Sequence, residues 1–415
     1  MSKLNQPAHS LICNFCEKTK KEVSKLIVSN GAAICNECIE TCSGILTNEK
    51  FALRRHKSGI LKTLDPKKVK KHLDEYIIGQ DGAKEAISIA IINHYKRLFF
   101  PTTIEVEKSN IIIHGPTGNG KTMLAKTVAK FLEVPFVVCD ATTLTEAGYI
   151  GEDATSVLER LMAVAGGDIE HAERGIIFID EIDKIGRQAD AHGSIGRDVG
   201  GEGVQQSLLK IIEGGEVKIL YGDGHKEELE FNTKDILFIC AGAFPDLDKI
   251  AIRNTTESSM GFGSHLHAPT DETVIPKVRD FVQYGMIPEF MGRFPITIPV
   301  FELTKEEMRL VLTQPKNNLI EQYKFYFGVD DIILDLTSTG IDAIVSITNK
   351  EKIGARGLRA TLETVLQSYM FNIIEYKNAN VSKITLDGDS ILIGATAKLE
   401  YHEKDENELS NTIEL

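Results

Sequence analysis

Residues Gly115-Pro116-Thr117-Gly118-Asn119-Gly120-Lys121-Thr122 have the types and spacing that hold a nucleoside triphosphate. They match the GxxxxGK[ST] pattern, in which the backbone N–H groups of a glycine-rich turn wrap the phosphates. Glycine lets those amides approach closely, and the N-terminus of a following helix adds favourable partial charge. Lys121 would reach the β- and γ-phosphates, the Thr122 hydroxyl would ligate Mg²⁺, and Met123 belongs to the same ATP-binding set. A second segment supplies what hydrolysis needs. In Gly175-Ile176-Ile177-Phe178-Ile179-Asp180-Glu181 an apolar run ends in two carboxylates, which a buried strand would deliver to the sheet edge where ligands bind. Asp180 would hold Mg²⁺, directly or through water, while Glu181 would orient and deprotonate the attacking water. A strand end with two acids is commonplace. Paired with a phosphate loop upstream, it reads as nucleoside triphosphate hydrolysis.

Four of the seven cysteines form two CxxC pairs, Cys13–Cys16 and Cys35–Cys38. Each such turn points two thiolates at one tetrahedral ion, so the four residues read as a closed, structural Zn²⁺ site. Cys42 is assigned to packing. Cys139 and Cys240 lie in apolar runs and read as buried, inert thiols. An odd cysteine count without a signal sequence does not resemble a disulfide framework.

Several elements must position these groups. The chain has 415 residues, enough for two or three domains, with 42% hydrophobic and 26% charged residues. Residues 10–50 are expected to form a zinc-binding domain and 51–64 a basic linker. Residues 65–302 follow an α/β pattern. Four continuous apolar runs, Ile111–Ile113, Phe136–Cys139, Ile176–Ile179 and Ile236–Cys240, predict parallel strands buried on both faces. Helix-like stretches at Lys121–Leu132 and Ala154–Ala165 separate them, which points to a doubly wound sheet. Glycine-rich segments 186–203 and 221–226 read as exposed loops. Residues 303–400 form a small α+β domain. In it a helical stripe runs from Leu358 to Ile373, and short strands are expected at Val381, Ile384 and Leu386 and at Ile391–Ile393. An acidic tail, 401–415, is expected to be disordered. With 47 basic against 60 acidic residues the net charge is −13, which argues against nucleic-acid or anionic-membrane binding. The sequence carries neither a run long enough to span a bilayer nor a signal-peptide core, so a cytoplasmic location is expected.

The four-cysteine module, GPTGNGKT, Gly148-Tyr149-Ile150-Gly151, IDEIDK, IPEFMGR and GARGLR together resemble the ClpX family of AAA+ unfoldases over roughly residues 10–395. That resemblance implies an AAA+ P-loop fold with a parallel sheet, a small C-terminal α+β domain and a treble-cleft-like zinc module. It implies a homohexamer that unfolds tagged or adaptor-delivered proteins through a central pore, feeds them to a ClpP-type peptidase, remodels complexes, and has no peptidase activity of its own. Tyr149 and Ile150 correspond to the pore loop that grips substrate. Arg197, Asp198 and Val199 match the second pore loop, and Ile77 and Ile78 the walls of the adenine pocket. Arg293 corresponds to the arginine finger offered to a neighbouring subunit, and Arg356 to the sensor-2 arginine.

Two departures stand out. The family's docking loop carries Ile-Gly-Phe where this chain has Met260-Gly261-Phe262; methionine is a flexible apolar residue of similar size. The pore-entrance loop carries Arg-Lys-His where this chain has Gly222-Asp223-Gly224-His225-Lys226. Losing the arginine and gaining an acid weakens attraction for a substrate's terminal carboxylate. A nucleic-acid motor and a non-hydrolysing scaffold are the alternatives. The net charge opposes the first, and intact Lys121, Glu181 and Arg293 oppose the second.

Overall fold

The computed structural model describes residues 12–29, 32–43, 65–100, 103–145, 153–186, 201–222, 227–259, 274–351 and 354–402. They fall into two compact units, divided between Leu64 and Asp65. In the N-terminal unit, strand β1 (Leu26–Ser29) pairs antiparallel with β2 (Ala32–Cys35), and a helix follows at 36–43. Among the described residues its core cluster consists of the buried Cys13, Val23 and Cys35, with Leu26, Ile34 and Cys38 packed against them. So small a core cannot stabilise a fold by burial alone.

The second unit is built on a five-stranded parallel sheet in the order β4-β5-β8-β3-β9. Its strands are β3 (Ile111–His114), β4 (Phe136–Asp140), β5 (Ile176–Asp180), β8 (Leu237–Gly242) and β9 (Ile296–Pro299). The three central strands are buried almost throughout, which is why their sequences are continuous isoleucine-rich runs. The chain leaves β3 for the far edge at β4, returns through β5 and β8 to β3's side, then crosses to β9. Helix Lys121–Leu132 follows β3 and buries Leu124, Ala125, Val128 and Ala129. The carboxyl ends of β3 and β5, where the phosphate loop and Asp180 lie, therefore open onto one crevice.

A second body carries its own core, centred on Leu334, Ile344, Leu358, Leu362, Leu366 and Ile384. Strand β10 (Ile333–Leu336) runs parallel to β11 (Val381–Leu386), which pairs antiparallel with β12 (Lys398–Tyr401). Its longest helix, Ala355–Phe371, carries most of the expected stripe; Ile373 opens the next helix, Ile373–Asn378.

Three expectations need correction. Ile391 belongs to helix Gly388–Leu392 and Ile393 caps it, because Asp387 and Ser390 form a reciprocal capping box that starts a helix there. The segment around 221 is flanked by a hairpin of β6 (Glu216–Tyr221) and β7 (Glu227–Asn232), so Tyr221 is a strand residue. The last strand also extends to Tyr401, which pairs with Val381 across a bulge. No helix among the described residues is long and apolar enough to cross a membrane.

Candidate nucleotide site and zinc centre

The phosphate loop leaves β3 hard against the end of β9. A Cβ on Gly115 would run into the Val300 carbonyl oxygen, and Val300 N–H donates to the His114 carbonyl at 2.8 Å. Only glycine fits that exit. The loop then feeds helix Lys121–Leu132 through Gly120, so the helix's unpaired N–H groups point into the crevice. Lys121 is largely buried, and its Nζ donates to the carbonyls of Gly115 (2.6 Å) and Pro116 (2.9 Å). Burial holds this ammonium below the usual lysine range. Asp180 and Asp183 pull it back up, and the Arg356 charge depresses it further.

At the end of β5, Thr122 Oγ1 donates to Asp180 Oδ2 at 2.8 Å, and Glu181 N–H donates to Asp180 Oδ1 at 3.0 Å. A hydroxyl and a carboxylate side by side are hard oxygen ligands of the kind Mg²⁺ takes. Glu181 sits at φ +55°, an unusual value for a non-glycine residue, and opens a 3₁₀ turn over Ile182–Ile185. Asp180 and Glu181 both line the crevice.

These groups line a cavity of about 550 Å³ between the two bodies of the second unit. Its polar end is formed by residues 117–122, Met123, Asp180, Glu181, Asp183 and Lys184, with Arg356 and Arg359 facing them from the C-terminal body. Its apolar end combines Tyr76, Ile77 and Ile78 with Leu303, Val311, Pro315 and Leu319. The Tyr76–Gln80 segment is clasped in place. Gln80 donates to the Phe301 carbonyl (2.7 Å) and accepts from the Phe301 N–H (3.0 Å), while Lys316 N–H donates to the Glu75 carbonyl (2.9 Å). An apolar slot leading to a cationic, amide-rich end matches the chemistry of a purine nucleotide.

In the N-terminal unit the Sγ atoms of Cys13, Cys16, Cys35 and Cys38 all lie within 4.8 Å of one another. Burial pushes the Cys13 thiol up, but N–H groups of Cys16, Phe15 and Cys35 aimed at its sulfur outweigh it and bring its pKa to about 6. The Cys35 N–H to Cys13 Sγ distance is 3.3 Å and Cys38 N–H to Cys35 Sγ is 3.4 Å. Four convergent sulfurs, with backbone donors stabilising thiolate, fit a tetrahedral zinc ion. Cys42 is outside the cluster.

Residues 11–48 match the family described as the ClpX C4-type zinc finger, and residues 106–297 match the AAA domain (Cdc48 subfamily). Over 380 residues the chain is 42% identical to a Treponema denticola protein named "ATP-dependent Clp protease ATP-binding subunit ClpX", covering 88% of this chain and 91% of that protein. The chain belongs to the ClpX family.

For a ClpX-family chain the position of Arg293 is informative. It caps helix Pro288–Gly292 just before β9, and Asn110, just before β3, donates to its carbonyl at 3.0 Å. Arg293 thus lies at the amino edge of the sheet, whereas the phosphate loop lies at the carboxyl edge. A four-residue strand spans about 13 Å. The side chain is half exposed, pairs with Glu213 at 2.8 Å, and does not line the cavity of its own chain. Arg356, by contrast, does line it. Tyr149, Ile150, Arg197, Asp198, Val199, His225, Lys226, Met260, Gly261 and Phe262 lie outside the described residues.

Sequence reasoning missed several cavity residues. Asp183 is buried, accepts from the Ala243 N–H at 3.1 Å through Oδ1, and lies 3.9 Å from Lys184 Nζ through Oδ2. Only its place three residues after Asp180 could have flagged it. Val311, Leu319, Gln322 and Arg359 belong to a body whose approach to the loop no local pattern announces.

Proposed function

We propose that this ClpX-family chain is the ATP-hydrolysing unfoldase subunit of a Clp-type protease, working as a homohexamer in the cytoplasm. Residues 65–302 act as the large ATPase domain and 303–400 as the small one. The observation that carries the reading is the composite cavity: phosphate-binding and hydrolytic groups come from the sheet body, while Arg356 and part of the apolar slot come from the other.

In this reading the base lies between Ile77 and Ile78 and the small domain, and the loop amides with Lys121 bind the phosphates. Lys121 is already desolvated and, among the described residues, spends its hydrogen bonds on the neutral carbonyls of Gly115 and Pro116, so a phosphate oxygen is a better partner than those it has. Thr122 and Asp180 would hold Mg²⁺, which when bound neutralises phosphate charge. Glu181, lining the same crevice, orients and deprotonates the attacking water. Arg356 reports the γ-phosphate to the small domain, so hydrolysis changes how the two bodies sit. Arg293, beyond reach of its own site, serves the next subunit, where such a residue contributes roughly 10³–10⁵ in rate in other NTPases.

Repeated strokes of this kind drive Tyr149 and Ile150, with Arg197–Val199, against substrate in the pore and overcome the about 5–15 kcal/mol that stabilises a folded domain. Met260-Gly261-Phe262 docks the peptidase. His225 and Lys226 admit substrates at the pore mouth with a preference altered by the missing arginine. The zinc module receives adaptors and some substrates. The test is loss of fluorescence from a degron-tagged green fluorescent protein, with ATP, with and without ClpP. Fluorescence loss that needs ATP and disappears in Glu181→Gln is expected. ATP hydrolysis without any unfolding of several tagged substrates would refute the unfoldase assignment.

A further inference from the structure

Gln205 lies in the first turns of helix Glu202–Ile212 and is fully buried. An uncharged amide in that position is costly unless its polar atoms are bonded. Among the described residues, its side-chain bonds go to the backbone of two other segments. Its Nε2 donates to the Ile185 carbonyl at 2.7 Å and, more weakly, to the Gly285 carbonyl at 3.4 Å; its Oε1 accepts from the Ile287 N–H at 2.9 Å.

Those two segments are the ones that matter for turnover. Ile185 ends the 3₁₀ turn that begins directly after Glu181. Ile287 is the N-cap of helix Pro288–Gly292, and Arg293 is that helix's C-cap. The far end of the Gln205 helix reaches the same arginine, because its C-cap Glu213 pairs with the guanidinium at 2.8 Å. Asn110, buried and bonded to both the Arg293 carbonyl (3.0 Å) and the Phe238 N–H (3.2 Å), ties the arginine backbone to the sheet. The half-exposed Glu213 pair is worth little by itself. The buried amide is the rigid link.

The geometry points to Gln205 as a positioning residue that couples the Glu181 turn of one subunit to the Arg293 which that subunit presents to its neighbour. This inference rests on the ring proposed above. A shift of the 3₁₀ turn when the Glu181 site changes state is passed through one amide to the start of the Arg293 helix, so the neighbour's hydrolysis responds without any nucleotide contact by Gln205.

The test uses Gln205→Met, which keeps length but removes the bonds, in otherwise intact full-length chains. Uniform rings should lose on the order of tenfold in kcat with KM for ATP unchanged, as expected for a misplaced catalytic group. The discriminating experiment mixes wild-type chains with tester chains that cannot hydrolyse, carrying Glu181→Gln alone, Glu181→Gln with Arg293→Ala, or Glu181→Gln with Gln205→Met. If Gln205 acts through Arg293, the Gln205→Met tester depresses wild-type turnover below the Glu181→Gln tester and toward the Arg293→Ala one. If it matches the Glu181→Gln tester while Arg293→Ala inhibits, the inference is overturned and the ring stands. If even the Arg293→Ala tester adds nothing, the trans-acting ring fails and takes the inference with it. Co-purification through a tag on the tester checks ring entry. Should Gln205→Met not enter rings, Gln205→Glu, which keeps the acceptor for Ile287, is read by the same comparison and is expected to inhibit less strongly than Arg293→Ala.

Discussion

Gly354 and Gly394 share a positive φ, +67° and +69°, but not a neighbourhood. A Cβ on Gly354 would sit 3.0 Å from Asn119 Oδ1 and 3.1 Å from the Thr117 carbonyl, both on the phosphate loop, whereas one on Gly394 would meet nothing within 4 Å. Alanine at either site is strained by about 1–3 kcal/mol, more so at Gly354, whose ψ of −158° belongs to a region essentially reserved for glycine, so both variants should lose thermal stability and Gly354→Ala the more. Only Gly354→Ala also crowds the loop. Asn119 Oδ1 has no hydrogen-bond partner among the described residues and can turn aside, but the Thr117 carbonyl is backbone and cannot. Crowding of this kind costs about 1–3 kcal/mol, and a few tenths of an ångström places it near the lower figure. The strain acts on the closed cavity alone, so at about 1.4 kcal/mol per tenfold it should weaken nucleotide binding roughly fivefold. Titration with a fluorescent ADP analogue measures this directly. Gly354→Ala should bind about fivefold more weakly than Gly394→Ala, which should match wild type. Equal affinities in the two variants would refute the claim that crowding of the phosphate loop at Gly354 weakens nucleotide binding.

Arg356→Ala should leave the melting temperature almost unchanged, since the side chain makes no ion pair among the described residues, yet cut ATP turnover; a large loss of stability would mean its role is structural. A strong zinc chelator should abolish the fold of residues 12–43, read as four newly titratable thiols, while the ATP affinity of residues 65–402 stays at its starting value; thiols that remain protected would refute the zinc assignment. Burial holds His94 at about 3, with the Arg97 and Lys108 charges adding to the effect, and holds His114 at about 4. The unfolded chain protonates both near 6.5, before the native state does, so stability falls as pH drops from there toward 4, by about 2 kcal/mol per histidine at pH 5. His94→Phe should therefore flatten the melting-temperature profile between pH 6.5 and 4, and an unchanged slope would contradict a neutral, buried His94.

Central strands and the phosphate loop were legible because each is written in consecutive residues. Ile176–Ile179 must be apolar on both faces, and GPTGNGKT supplies its own turn and helix start. Strand β9 was not legible: at the sheet edge, with a half-buried sequence ending in proline, Ile296–Pro299 lacks the apolar run of its neighbours. The β6–β7 hairpin, largely exposed and rich in glutamate, gave no buried stripe to read. At Ile391–Ile393 a local cap overrode the apolar pattern. Ile77, Ile78, Arg293 and Arg356 came only with the family resemblance, since nothing in a lone isoleucine or arginine announces a nucleotide. Gln205 had no signal at all. Its bonds reach Ile185 and Ile287, some twenty and eighty residues away in the chain, and only the folded molecule brings them together.

The cavity's division of labour has a mechanical corollary. In the function proposed above, the sheet body would hold the ligand by its charged end and the C-terminal body would contribute to the grip on its base, so the nucleotide would span the joint as a shim of fixed length. Exchanging a triphosphate for a diphosphate shortens the shim at the Lys121 end and leaves the Val311–Leu319 end as it was. On that reading the angle between the bodies would follow the ligand's dimensions rather than any change in the protein's own covalent geometry, and would report how many phosphates remain.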